Sequence, residues 1–427
     1  MKNYSTTLRL LLAVLLFIPA YASAQKHSDD FNNKYNLKEM VVLSRHSIRA
    51  PLSGNGSALG NLTSHQWTEW SAAPSELTSR GGALETIMGQ YFRKYLAQQG
   101  LFPENYVPTV DDVNIYANSM QRTIATAQYF TSGFMPVANL TVNHRYTPSK
   151  MDPVFNPRLT KVTPEFKNQA MKEIAAMGGK NGIRGINEKL KDNYELIAEV
   201  LDLKDSPAAK DGMTAFDNYD TQIILEPGQE PAMKGSLKDA NSASDAFILQ
   251  YYEEPDSVKA GFGHKLTRDQ WAQIAEIKDV YGDVLFTAPT VAANVANPLL
   301  RYMYDELNSD ARKFTYLVGH DSNIASVNAA LGVEEYELPD AIEKKTPIGS
   351  KLVMEKWQGK DGKQYVSLNL VYQTPDQLRN ISLLDLHNPP MVFPLKLKGL
   401  TPNADGLYSL DDINKRFGEA FDAYEAI

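Results

Sequence analysis

The chain has 427 residues, with 43 basic and 51 acidic side chains that give a net charge of −8. This acidic balance excludes the usual nucleic-acid binder, whose basic side chains spread along one face, and the absence of cysteine excludes a disulfide framework. The length is enough for about two domains with well-buried cores.

The first 24 residues have the pattern of a secretory signal peptide. Lys2 and Arg9 precede an apolar run at residues 10–19, and Ala22 and Ala24 supply the small side chains that a signal peptidase reads. We therefore expect cleavage before Gln25 and a periplasmic or secreted mature protein. The apolar run is too short to span a membrane comfortably, so we expect no membrane contact once the signal has been removed.

Residues 40–43 are an apolar run that predicts a buried strand, and the chain leaves it directly into Arg45, His46 and Arg49. In open α/β sheets, ligands bind at the carboxyl ends of strands, and guanidinium groups suit a phosphate or a carboxylate. The flanking cations disfavour protonation of the imidazole, which keeps it neutral and nucleophilic. An ordinary surface turn is the alternative for this segment.

A helix and a second strand follow. Residues 77–100 carry an apolar face at helical spacing, with Thr78 or Ser79 available as the cap, and residues 113–117 alternate as in a short strand. This strand leads to Arg122 in the first turn of another helix, where the N-terminus favours anions. Arg122 is therefore a second candidate for anion binding, with a solvated arginine as the alternative.

Residues 148–287 change in character, because prolines interrupt the pattern and polar helical segments follow. We predict a mainly helical cap here, inserted between two parts of an α/β core at residues 25–147 and 288–427. Within the cap, residues 232–245 are rich in Gly, Ser, Asn and Asp, and residues 243–253 predict a helix that ends at Glu253. Glu253 is a candidate for contact with a polar substrate, and a solvated helix end is the alternative.

The second part of the core repeats the opening pattern. Residues 299–307 predict a helix that begins after Pro298, and residues 314–318 predict a strand that leads into Gly319, His320, Asp321 and another helix. Asp321 is either a carboxylate with a chemical role or a helix cap. Residues 351–357 and 365–372 predict a hairpin, and residues 411–424 a terminal helix.

If the three strand ends open at the same edge of one sheet, they form a pocket with three guanidinium groups, two imidazoles and one carboxylate. Such a set suits phosphoryl transfer, where positioning and charge stabilisation dominate catalysis. The other histidines are scattered without His-Glu-x-x-His spacing, and the sequence has no Gly-x-x-x-x-Gly-Lys-Ser/Thr loop. We therefore expect no metal and no other cofactor, with the arginines in the role of the cation.

Residues 45–51 read Arg-His-Ser-Ile-Arg-Ala-Pro and resemble the Arg-His-Gly-x-Arg-x-Pro signature of the histidine acid phosphatases. Residues 319–321 resemble the second, His-Asp, signature of this family, and the likeness covers nearly the whole mature chain. The resemblance implies an α/β fold in which a mixed β-sheet is sandwiched by helices, as in phosphoglycerate mutase, with a helical cap domain. Two departures are Ser47, where the family usually has glycine, and the absence of the family's disulfides.

The resemblance also implies a role for each residue. His46 would attack phosphorus and become a phosphohistidine, and Asp321 would protonate the leaving oxygen, with low pH supplying its protonated form. Glu253 would contact the sugar hydroxyls. Four further residues would bind the phosphate: Arg45, Arg49, Arg122 and His320.

The expected function is that of a metal-independent acid phosphatase acting on small phosphomonoesters, with a preference for sugar phosphates such as glucose 1-phosphate. A phytase that hydrolyses inositol hexakisphosphate is the alternative within the same family. A sugar-phosphate binding protein without turnover is the alternative from another class, although a binder needs neither a nucleophile nor a proton donor.

Overall fold

The computed structural model describes residues 28–51, 58–109 and 111–427, so the predicted signal at residues 1–24 lies outside the described residues. The strands are β1 Tyr35–Arg45, β2 Val113–Ala117, β3 Val142–Asn143, β4 Gln222–Ile224, β5 Ala232–Lys234, β6 Phe314–Gly319, β7 Lys351–Gly359, β8 Gln364–Tyr372, β9 Met391–Pro394 and β10 Tyr408–Ser409. The first helices are α1 Asp29–Lys34, α2 Ala58–Leu62, α3 Ser79–Gln98, α4 Gln121–Phe134, α5 Pro164–Met177, α6 Gly182–Lys189, α7 Lys191–Val200 and α8 Pro207–Lys210. The later helices are α9 Ser236–Glu253, α10 Ser257–Ala260, α11 Arg268–Phe286, α12 Pro289–Asn308, α13 Asp321–Ala330, α14 Pro375–Arg379 and α15 Leu410–Glu425.

The central sheet is mixed, with the strand order β10-β8-β7-β1-β6-β2-β3 and with β9 paired to β8. Its three central neighbours β1, β6 and β2 run parallel, whereas β7, β8, β9 and β10 pair antiparallel. A mixed sheet covered by helices was predicted, and this part of the fold class is confirmed.

Strand β1 is buried on both faces, which explains its continuous apolar sequence. Met40 and Val42 pack into the hydrophobic cluster on the α3 and α4 side of the sheet. Val41 and Leu43 pack into the opposite cluster, beneath α12 and α13. Successive side chains of a strand point to opposite faces, so this one strand joins both layers of the core.

Helices α3 and α4 approach each other closely because glycines lie at their contact. A Cβ atom at Gly89 would collide with the backbone oxygen of Phe130, and one at Gly133 would collide with that of Thr86. The close contact fixes α4 against the sheet. It thereby fixes Arg122, which lies in the first turn of α4.

The segment from α5 to α11 is mainly helical, with one small sheet of β4 and β5. Its apolar side chains form a cluster around Phe247, Tyr252 and Trp271, and the same cluster includes Ile48 and Leu84 from the sheet side. The division into a core and a cap domain at residues 148–287 stays a prediction. Within the described residues, every helix is too short or too polar to cross a membrane.

Two element boundaries were predicted wrongly. Helix α12 begins at Pro289 and continues through Pro298, because burial of its apolar face on both sides of the proline outweighs the loss of one backbone hydrogen bond. Helix α9 begins at Ser236 rather than at residue 243. Its Ser- and Asn-rich first half still buries one face, formed by Leu237, Ala240 and Ala243.

Candidate active site

The three polar strand ends lie at one edge of the sheet. Arg45 at the end of β1 pairs with Gly319 at the end of β6, and Ala117 at the end of β2 pairs with Val318. The pairing of β1 with β6 extends one residue past the end of β1, because the His46 amide donates to the Gly319 carbonyl at 3.1 Å. The convergence predicted from the sequence is therefore present.

His46 is buried, with 4% of its surface exposed. Its Nδ1 lies 2.9 Å from the Ser47 carbonyl oxygen, which can only accept, so this nitrogen carries the proton. Burial and the charges of Arg122 and the other nearby cations lower the pKa of His46 well below its usual value. The unprotonated Nε2 is thus available as a nucleophile at acid pH.

Arg45 is held by a buried carboxylate. Its Nη1 donates to Glu343 Oε1 at 2.6 Å and to the Thr346 carbonyl at 2.6 Å, while its Nη2 lies 3.7 Å from Asp321 Oδ2. The Nε of Arg45 and the Nε of Arg122 are buried and have no hydrogen-bond partner among the described residues. Buried donors without partners are costly, and an anion in this pocket would satisfy them.

Arg49 and Arg122 are held by partners from different parts of the chain. Arg49 Nη2 donates to Asp245 Oδ2 of α9 at 2.7 Å, and Arg122 Nη1 donates to Ser75 Oγ at 2.9 Å. Burial and the neighbouring charge of Arg49 lower the pKa of Arg122 to about 10. Arg122 still stays charged at neutral and acid pH, and it prefers an anion beside it.

His320 is oriented by Asn118, a residue that the sequence did not single out. Asn118 Oδ1 accepts from the Asp152 amide, which turns its Nδ2 toward His320 Nε2 at 2.7 Å. His320 Nε2 is then the acceptor and Nδ1 carries the proton. Because Nδ1 lies 3.5 Å from Arg122 Nη2, the two donors stand side by side as in an anion site.

Asp321 begins α13 and lies in an ion pair. Its Oδ2 is 2.6 Å from Lys278 Nζ, and its Oδ1 accepts from the Ser322 amide at 2.9 Å. Burial would raise the pKa of Asp321, but the charges of Lys278 and Arg45 outweigh it and hold the pKa well below its usual value. The expectation that mild acid alone protonates Asp321 therefore does not fit the free enzyme.

Glu253 lies apart from these residues. Its carboxylate accepts from Thr78 Oγ1 at 2.9 Å, and its pKa is raised by burial while Thr78, Arg80 and Ser71 oppose the shift. Thr78 and Arg80 lie at the start of α3, and the neighbours of Glu253 are these residues and Ser71 rather than the side chains at the strand ends. The structure thus brings together the other six predicted residues and not Glu253.

A cavity of about 610 Å³ opens beside the site, between the strand ends and the helices α9 and α11. Arg49, Lys278 and Asp321 line it together with Asp245 and Tyr281. Within the described residues, no group of three or more His, Cys, Asp and Glu side chains has the arrangement of a metal site.

Comparisons with known proteins place this geometry in a family. The model of the histidine phosphatase superfamily (branch 2) matches residues 36–371. The chain belongs to this family. It is therefore an enzyme, a histidine acid phosphatase that hydrolyses phosphate esters, as the two signatures predicted.

Two curated relatives are similar over nearly their whole lengths. A glucose-1-phosphatase of Providencia rettgeri is 39% identical over 97% of this chain and 99% of the relative. A glucose-1-phosphatase of Salmonella typhimurium is 39% identical over 94% and 96%. Among solved structures, the apo form of Hafnia alvei phytase is 27% identical, with a TM-score of 0.83 over 92% of this chain and 98% of that chain.

Proposed function

We propose that this phosphatase hydrolyses sugar phosphates such as glucose 1-phosphate through a phosphohistidine on His46. The buried, neutral His46 with Nδ1 bound to the Ser47 carbonyl is the observation that carries the proposal. Nε2 forms a bond to phosphorus as the ester P–O bond breaks, and the leaving oxygen takes a proton from Asp321. Water then attacks phosphorus, the N–P bond breaks, and the water proton returns to Asp321.

The phosphate would be bound by the three arginines and His320. The orphaned Nε donors of Arg45 and Arg122, with the protonated Nδ1 of His320, supply directional hydrogen bonds to its oxygens. Positive charge that is fixed before the reaction stabilises the equatorial oxygens in the transition state.

The polar lining of the cavity suits the hydroxyl groups of a sugar phosphate. The lining includes four cations and five carboxylates: Arg49, Lys238, Lys278 and Lys345, against Asp239, Asp245, Asp279, Asp283 and Asp321. Carboxyl groups and carboxylates both form hydrogen bonds with sugar hydroxyls. Burial raises the pKa of Asp279 to about 7 and that of Asp283 to about 6, so these two groups are largely uncharged at acid pH. A phytase remains the second candidate, because a phytase of Escherichia coli is 26% identical over 90% of this chain.

A comparison of kcat/KM for glucose 1-phosphate and for inositol hexakisphosphate tests the proposal, with a chelator present throughout. We expect the sugar phosphate to be the better substrate. A clear preference for inositol hexakisphosphate would replace the proposal with the phytase.

Export is proposed from the N-terminal sequence. Lys2, Arg9 and the apolar residues 10–19 have the charge and length of a secretory signal, and the small residues at 22–24 suit cleavage before Gln25. N-terminal sequencing of the protein recovered from the periplasm or the medium should begin at Gln25. Recovery of the uncleaved chain in the cytoplasm would contradict this proposal.

A further inference from the structure

Lys278 reaches the site from α11, although no sequence motif marks it. Its side chain is 9% exposed, and its Nζ lies 2.6 Å from Asp321 Oδ2 and 3.6 Å from Glu343 Oε1. The same Glu343 oxygen accepts from Arg45 at 2.6 Å. Two cations and two carboxylates therefore form one cluster in which Lys278 is the nearest cation to the proposed proton donor.

Arg45, the other cation beside Asp321, cannot take the place of Lys278. Arg45 Nη2 is more distant, at 3.7 Å, and is already bound to Glu343 and the Thr346 carbonyl. The Glu343 carboxylate is committed as well, because Oε2 accepts from the Ile348 amide at 2.9 Å. Among the described residues, the further ionisable groups that interact electrostatically with Asp321 or Lys278 include His46, Asp245, Glu230, Arg122, Tyr281, Asp279 and His320.

This arrangement poses a chemical problem for the proposed reaction. A carboxylate bound to an ammonium group at 2.6 Å keeps its charge and cannot donate a proton. Lys278 also lines the cavity, so a phosphate entering beside Asp321 competes for the same ammonium group. An anion with two negative charges attracts Lys278 more strongly than a single carboxylate does.

We propose that Lys278 holds the Asp321 carboxylate in place in the free enzyme and binds the phosphate of the ester once it enters, so that Asp321 can take up a proton. This inference rests on the proposed function. Asp321 receives its proton from the acidic solvent and gives it to the leaving oxygen as the P–O bond breaks. Lys278 thereby sets the pH range in which esters with poor leaving groups are hydrolysed.

The test is the pH dependence of kcat/KM for Lys278→Met with two substrates. Glucose 1-phosphate has a poor leaving group and needs the proton, whereas p-nitrophenyl phosphate has a good one and needs it little. Removal of the nearest cation should move the alkaline limb for glucose 1-phosphate upward by about 1–3 pH units. The limb for p-nitrophenyl phosphate should stay in place, and Lys278→Arg should restore the original limb for glucose 1-phosphate.

Equal profiles for Lys278→Met and the unmodified enzyme would overturn the inference, and so would equal shifts for both substrates. Lys278→Gln keeps a hydrogen-bond donor without charge and serves if the Met variant does not fold; it should show the same shift. Asp321→Asn, measured in parallel, distinguishes a failure of the proposed function from a failure of the inference about Lys278. If Asp321→Asn keeps full turnover on glucose 1-phosphate, another group is the acid and the role of Asp321 in the proposed function fails. If Asp321→Asn loses turnover and only the Lys278 profiles are unmoved, this inference alone fails.

Discussion

Asn118 Nδ2 and His320 Nε2 lie 2.7 Å apart, and this contact decides which nitrogen of His320 faces the phosphate site as a donor. Asn118→Leu keeps the volume and removes the donor. The variant no longer fixes Nδ1 of His320 as the donor to the phosphate, and a hydrogen bond to a charged group is worth about 1.5–3 kcal/mol. We therefore expect kcat/KM for the ester to fall roughly 10- to 100-fold and inorganic phosphate to inhibit more weakly. Steady-state kinetics give kcat/KM, and inhibition by inorganic phosphate gives its inhibition constant. An unchanged inhibition constant would show that Asn118 does not orient His320 toward the phosphate.

Asp321→Asn should separate binding from turnover. The amide cannot donate the proton that the leaving oxygen needs, and general acid catalysis is typically worth about 100- to 10,000-fold. We expect kcat on glucose 1-phosphate to fall by that order while inorganic phosphate still binds. A variant that turns over glucose 1-phosphate at the normal rate would show that another group is the acid.

Glu253→Gln tests whether Glu253 contacts the sugar, as the resemblance implies, or only Thr78, as in the structure. Because Glu253 accepts from Thr78 and its other neighbours are Arg80 and Ser71 rather than the residues at the strand ends, we expect KM for glucose 1-phosphate to change less than about twofold, which is well below the free energy of one hydrogen bond. Asp245→Asn is the matched comparison, since Asp245 lines the cavity and pairs with Arg49. A large rise in KM for Glu253→Gln alone would restore its predicted contact with the sugar.

Glu85 and Lys351 form a buried ion pair below the active-site loop. The exposed fractions of their side chains are 2% and 0%, and Lys351 also donates to the carbonyl of Gly349, whose amide donates to the His46 carbonyl. Glu85→Gln leaves the ammonium without its counter-charge, so we expect a loss of about 3–5 kcal/mol in the free energy of unfolding.

Denaturant unfolding measures this loss. Glu195→Gln is the control, because Glu195 pairs with Lys191 on the surface, and it should leave the unfolding midpoint unchanged. Equal midpoints for the two variants would show that the buried pair does not stabilise the fold.

The pH dependence of the nucleophile follows from its surroundings. Burial and the cations around His46 lower its pKa well below the usual value, so the imidazole stays neutral as the pH falls below about 6.5. We therefore expect kcat/KM to hold or rise as the pH is lowered from about 7 toward 5. A rate that falls through an apparent pKa near 6.5 in this range would contradict the neutral nucleophile.

Much of the site was predictable because its residues lie in short sequence motifs that directly follow apolar strands. Arg45 and His46 follow the apolar strand β1, His320 and Asp321 follow β6, and parallel pairing of these strands brings the two motifs together. The strand and helix pattern predicted the residue types at the sheet edge, and the family resemblance implied the mixed sheet.

The partners of these residues were not predictable. Glu343 and Lys278 carry no motif, and Glu343 is 298 positions from Arg45 in the chain. Only tertiary packing shows that they pair with Arg45 and Asp321. Glu253 was a candidate from its place at the end of a predicted helix, and the resemblance implied its contact with the sugar. Its position beside Thr78 depends on how α9 packs against the start of α3, which the sequence does not reveal.

The central claim is the phosphohistidine on His46, and rapid-quench trapping tests it most directly. Radiolabelled glucose 1-phosphate is mixed with the enzyme for a few milliseconds, denatured in alkali, and digested to peptides. We predict a base-stable, acid-labile label on the peptide that contains His46, and none on His46→Ala. Phosphate release at the normal rate by His46→Ala, or a label on another residue, would contradict the claim.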